Sequence, residues 1–153
     1  MNEAMMATGR RNQRRGKTGE EIAELLLRAA GVQMVEKIAT PYVITNVMKR
    51  NGQTWVQMRH SEKVSGDRRG IMPDGRRVLC EVKVRGGNLR KSDFEPHQRE
   101  ALSQNHRFGG VSLVVWVHPD DNFLLRWPFP QFDKARASIR PEDAELYVWD
   151  GRS

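Results

Sequence analysis

The stretch Val78-Leu79-Cys80-Glu81-Val82-Lys83-Val84 constrains this chain more than any other. It is apolar and β-prone, yet a Glu and a Lys interrupt it. Side chains two apart on a strand point the same way. Glu81 and Lys83 therefore share one face, while Val78, Cys80, Val82 and Val84 share the other and can be buried. Most carboxylate–ammonium pairs in a charged chain lie on solvated sheet faces. Here the strand around the pair is otherwise apolar, which places it on a central element of a sheet. Cys80 falls on the core face by the same parity and reads as packing, not as a nucleophile.

With 153 residues the chain is long enough for one domain with a real core. No apolar run approaches the roughly 20 residues of a membrane span. The N-terminus lacks the apolar segment of a signal peptide. A single cysteine excludes an internal disulfide framework, and with four scattered His it excludes a zinc-finger pattern. A reducing, cytoplasmic setting is the expectation. Lys and Arg outnumber Asp and Glu by 26 to 19, a net charge of +7. Arg10, Arg11, Arg14, Arg15 and Lys17 fall close together with no acid among them. No apolar face accompanies this run, so a nucleic acid suits it better than an anionic membrane.

Residues 1–16 are polar and basic without periodicity, and are expected to form a flexible arm ahead of a single domain over 17–153. Thr18 and Glu21 form a capping-box pattern, and Ile22, Leu25, Leu26 and Ala29 give a helical apolar stripe that Gly31 ends. A short strand follows over 32–38. Residues 42–60 read as a β-hairpin turning at Asn51-Gly52, with Trp55 across from Met48 and Lys49 and Arg50 near the tip. A second hairpin, from Arg68 to Val84, turns at Pro73-Asp74-Gly75. A helix is expected over 95–105 with Pro96 in its first turn. Val111–Val117 reads as a buried strand, 123–127 as another, and 131–138 as a short helix. The order predicts an α/β (α+β) domain, a central mixed sheet flanked by helices.

Glu81 and Lys83 suit a metal-dependent nuclease, with the carboxylate holding a divalent ion and the amine orienting or deprotonating the attacking water. Two upstream acids compete to complete the site. Asp74 sits at the hairpin turn, some 15–20 Å along the strand from Glu81, and its plainer reading is a turn former. Asp67 is preferred. With a regular two-residue turn it would lie level with Val82 and face the wrong way, so a bulge or bend at Gly66 or Gly70 is expected. Glu20 is a further carboxylate in the first helical turn, where the plain reading is the helix dipole. Gln98 reads as a helix-surface residue and His97 as an incidental one. Trp116, Trp127 and Trp149 read as core or interface aromatics.

In order and spacing, these pieces resemble the RecU-type Holliday junction resolvases, in the PD-(D/E)xK nuclease superfamily with its restriction-endonuclease-like fold. The matching pieces are Gly16-Lys17-Thr18-Gly19-Glu20, Lys37-Ile38-Ala39-Thr40-Pro41, Asp67-Arg68-Arg69-Gly70, Glu81-Val82-Lys83, His97-Gln98 and Gly109-Gly110. The resemblance implies that Asp67, Glu81 and the Val82 carbonyl hold Mg²⁺, for which Mn²⁺ would substitute. It implies that Lys83 positions the water, that Glu20 completes the acidic cluster and that Gln98 supports it. It makes 42–60 a stalk entering a four-way DNA junction, and the protein a homodimer. The basic run from Arg10 to Lys17, together with Lys49, Arg50, Arg68 and Arg69, would contact DNA. The family tends to carry a hydroxyl residue where Gly66 stands here. The rival readings are another nuclease of the same fold, cutting duplex or single strands, and a non-catalytic nucleic-acid-binding protein.

Overall fold

The computed structural model describes residues 19–39, 42–60 and 67–152. The basic arm, the Thr18 cap, and Gly66 therefore lie outside the described residues. Helix α1 runs over 19–29, and Gly31 at φ +90 supplies the left-handed stop expected of it. Strands β1 (Gln33–Lys37), β2 (Tyr42–Arg50), β3 (Gln53–His60), β4 (Arg68–Ile71), β5 (Arg77–Val84) and β6 (Leu89–Arg90) follow. Then come α2 (Pro96–Arg107), β7 (Val111–Val117), β8 (Asn122–Arg126) and β9 (Ser138–Ile139).

Five strands form the central sheet in the order β1-β4-β5-β7-β8. Only β5 and β7 pair in parallel, joined by α2 as a crossover, so the sheet is mixed. The first six residues of β7 are buried, because both faces of this strand are covered. Under α1, Ala23 and Leu27 pack on Val78, Cys80, Leu113, Val115 and Trp149. On the α2 face, Leu102 packs with Val114, Trp116, Leu125, Trp127, Phe94 and Phe129. Each such Val, Leu or Phe contributes about 1.5–3 kcal/mol on burial. All three tryptophans read as core aromatics are buried.

The β2–β3 hairpin is a separate two-stranded sheet. Asn51 and Gly52 both have positive φ, as a type I′ turn requires, and Met48 pairs with Trp55 as expected. The β4–β5 hairpin departs from expectation in one decisive way. Its register runs Arg68↔Cys80, Arg69↔Leu79, Gly70↔Val78 and Ile71↔Arg77 without a break. No bulge occurs at Gly70. The loop holds three residues, Pro73, Asp74 and Gly75, closed by Met72 N–H to Arg76 O at 2.9 Å, with Gly75 at φ +91. An odd loop shifts the pairing by one residue relative to a two-residue turn. Gly70 is needed for space instead. A Cβ there would lie 2.8 Å from the Gln33 carbonyl oxygen on β1.

Other differences are small. The helix expected over 131–138 is a 3-10 turn at Pro130–Asp133, followed by β9, which pairs with β6. The chain end forms a 3-10 segment, Pro141–Tyr147, and Val148 then bridges to Leu125. Among the described residues, no helix is long and apolar enough to cross a membrane.

Candidate active site

β4 pairs with β5 as far as Arg68↔Cys80, and Asp67 is the bend residue just ahead of β4. Asp67 N–H donates to the carbonyl of Cys80, the same residue that Arg68 pairs with, at 2.8 Å. The Asp67 Oδ2 atom accepts the Val82 N–H at 2.7 Å, which ties the carboxylate to β5. Its carbonyl accepts Ile38 N–H at 3.2 Å and Arg68 Nη1 at 3.0 Å. Asp67 is thus fixed by both neighbouring strands.

Glu81 is 2 % exposed, a buried carboxylate that meets side chains from β5 and α2. Gln98 Nε2 donates to Glu81 Oε1 at 2.6 Å, and Lys83 Nζ lies 3.6 Å from the same oxygen. Gln98 Oε1 accepts from Lys83 Nζ at 3.0 Å and from the Glu95 N–H at 2.9 Å. The second bond closes the capping box of α2, in which Glu95 precedes Pro96 and Gln98 is the third helical residue. The helix start therefore orients the Gln98 amide. Two donors face its oxygen, so its NH₂ is turned to the carboxylate. Lys83 Nζ also stands 4.9 Å from the centroid of the Phe94 ring, a cation–π contact in a desolvated place. Sequence reasoning missed Phe94. Its position just ahead of the α2 cap was the available signal.

Glu20 is placed with a different set. Its carboxylate lies 3.4 Å from Lys37 Nζ and 3.5 Å from Arg68 Nη2, while Arg68 Nε is 3.4 Å from Glu24. Arg68 neighbours Asp67, so it points to the opposite face, under α1. There it is 4 % exposed and compensated by two helix carboxylates. A guanidinium so enclosed is not presented to DNA, contrary to the expectation from sequence. Arg69 is exposed and paired with Glu36 at 3.1 Å. Lys49 and Arg50 are exposed at the hairpin tip. Asp74 serves the turn, with Oδ1 accepting Arg76 N–H at 3.1 Å and Oδ2 accepting Arg76 Nε at 2.8 Å. His97 Nδ1 lies 3.1 Å from a Glu95 oxygen. The Cys80 thiol is fully buried. Burial first, and then the Asp67 charge, push its pKa well above the ordinary thiol value.

Among the described residues, no group of three or more His, Cys, Asp or Glu gathers as a metal cluster. The Asp67 carboxylate is bound to the N–H of Val82, the residue after Glu81, and both carboxylates offer only oxygen donors. Such a pair fits Mg²⁺ or Mn²⁺, since Mg²⁺ is commonly held by one or two carboxylates with waters and substrate phosphates.

No family model matches this chain. No curated protein matches it. Solved structures do match. One is Archaeoglobus fulgidus Hjc, a Holliday junction resolvase from an archaeal hyperthermophile. It aligns with a TM-score of 0.57 at 16% identity, over 86% of this chain and 93% of that one. The two chains share a fold. It is a mixed sheet flanked by helices, resembling the restriction-endonuclease-like fold expected from the sequence.

Proposed function

We propose that the chain is a metal-dependent endodeoxyribonuclease that resolves four-way DNA junctions. The observation that carries this reading is the Asp67 carboxylate bound at Val82, beside the Glu81 that Gln98 joins to Lys83, in a resolvase-like fold. Asp67 and Glu81, with the Val82 carbonyl, would hold Mg²⁺ or Mn²⁺. The bound ion would neutralise phosphate charge and lower the pKa of a water. Lys83 brings a fixed positive charge to the same place and stabilises negative charge developing on the phosphate. Gln98 holds Lys83 and Glu81 in register with each other. Phe94 and the start of α2 exclude water from the Lys83 side.

The exposed β2–β3 hairpin would act as the stalk that selects a branched substrate. Lys49, Arg50 and the arm residues Arg10, Arg11, Arg14, Arg15 and Lys17 would hold backbone phosphates, a contact that positions DNA without reading its sequence. Arg69 would add to this surface once released from Glu36. Two copies related by a two-fold axis would make paired nicks. Residues 1–16 would form the arm and 17–153 the catalytic domain. Glu20, on the Arg68 side, would support the site through Arg68 and the Asp67 backbone.

The test is incubation of the pure protein with labelled four-way junction and matched linear duplex, in Mg²⁺ or EDTA, beside Glu81→Ala. Paired nicks in the junction alone, dependent on metal and lost in the variant, are the expected result. Equal cutting of both substrates would point to a general nuclease. Binding without cutting would overturn the catalytic reading.

A further inference from the structure

Lys83 brings the fixed positive charge to the candidate site, and its side chain is only 16% exposed. Groups of the protein therefore surround its ammonium in place of most of the water. Gln98 Oε1 accepts one hydrogen bond from Nζ at 3.0 Å. The Glu81 oxygen lies at 3.6 Å, an ion-pair distance too long for a hydrogen bond. The Phe94 ring stands under Nζ, with its centroid 4.9 Å away. That is within the roughly 6 Å over which a ring face attracts a cation. Lysine ends a flexible four-carbon stem, and one hydrogen bond leaves such an end free to swing.

The ring, by contrast, cannot swing. Phe94 is buried in the core on the α2 face. It is tilted against Trp127 at 5.5 Å and edge-to-face with Phe132 at 5.8 Å. Its backbone is held as well, with Phe94 N–H donating to the Lys91 carbonyl at 3.1 Å. Asp93, the residue before it, meets Arg85 Nε at 3.0 Å. Arg85 comes two residues after Lys83, just past the end of β5. The ring and the amine are thus referred to the same strand, one by its core packing and one by its own backbone.

We propose that Phe94 is a positioning residue for the cleavage reaction, whose ring face holds the Lys83 ammonium beside Glu81 without neutralising it. In this it rests on the DNA-cleaving reading above. A second carboxylate in place of the ring would hold the amine too, but it would cancel the charge that a phosphate has to meet. The ring attracts through its quadrupole and carries no net charge. An ammonium has three N–H donors, and Gln98 takes one of them. The ring leaves the others able to turn to an incoming phosphate oxygen.

The test replaces Phe94 in the full chain by phenylalanines of increasing ring fluorination, which keep the shape and withdraw negative charge from the ring face. The single-turnover rate on labelled four-way junction in Mg²⁺ should fall with each added fluorine, to about a tenth of the wild-type rate at the end of the series. Thermal unfolding should keep its midpoint, since packing does not follow ring charge. A rate that ignores fluorination, in chains of unchanged midpoint, would overturn the proposal. If the wild type cuts no DNA, the nuclease reading itself fails. The ε-methylene proton signals of Lys83, assigned with Lys83→Met, then decide the contact alone. An upfield ring-current shift that Phe94→Leu removes would support it, and an ordinary shift in the wild type would overturn it.

Discussion

The two β-hairpins of this chain are built from similar local signals and end in opposite circumstances. Both have β-prone arms and a Gly-containing turn. The β4–β5 hairpin lies in the central sheet, with Val78, Cys80 and Glu81 buried. The β2–β3 hairpin leaves Ile44, Val47, Met48, Trp55, Val56 and Met58 between 47% and 59% exposed. A hairpin standing alone is marginal in water, and exposed apolar side chains add little to its stability. Strand propensity forms both hairpins. The covering helices make only one of them a core and a site. The first should carry stability and chemistry, and the second should carry recognition.

That division can be broken by experiment. The largest effect should come from Glu81→Ala or Asp67→Ala, which would cut the cleavage rate by on the order of a thousandfold while junction binding in EDTA persists. A quantitative gel of initial rates measures it, and near-normal rates would remove these residues from the chemistry. Next, Leu113→Ala on β7 should cost about 2–5 kcal/mol in urea unfolding, against less than about 0.5 kcal/mol for Val56→Ala on the hairpin. Similar losses at both positions would show that the hairpin face is buried in solution.

A smaller effect is expected from Gln98→Leu, which frees Lys83 and Glu81 from their shared partner. The rate should fall roughly tenfold to a hundredfold with little change in DNA affinity. Gln98→Glu should not rescue it, because its carboxylate would face Glu81. The mildest change should come from Lys49→Gln with Arg50→Gln at the hairpin tip. Junction affinity should weaken several-fold and the salt slope should drop by about 1.8 if both contact phosphates. Unfolding should be unaffected, and a loss of stability there would argue against a purely recognition role.

Much of the fold could be read along the chain. Parity put Glu81 and Lys83 on one face and Cys80 in the core, and the structure places them so. The Asn51-Gly52 turn fixed the Met48↔Trp55 register, because a two-residue loop leaves one pairing open. The continuous apolar run of β7 announced a strand covered on both faces. These features depend on neighbours within a few residues, where period and turn chemistry act directly.

What tertiary structure alone decided depends on partners distant in sequence. The length of the Pro73-Asp74-Gly75 loop set the register that pairs Arg68 with Cys80, and the Asp67 carboxylate reaches the Val82 N–H beside Glu81, fifteen residues away. Gln98 joined the site because the α2 cap docks over β5, seventeen residues from Glu81. Arg68 resembled a DNA contact from its charge, yet its strand parity turned it beneath α1 onto Glu20 and Glu24. The sequence determined which residues alternate and where the chain turns. The packing of two helices on opposite faces of one sheet decided which charges meet, since a side chain's partners are set by the layer that covers it.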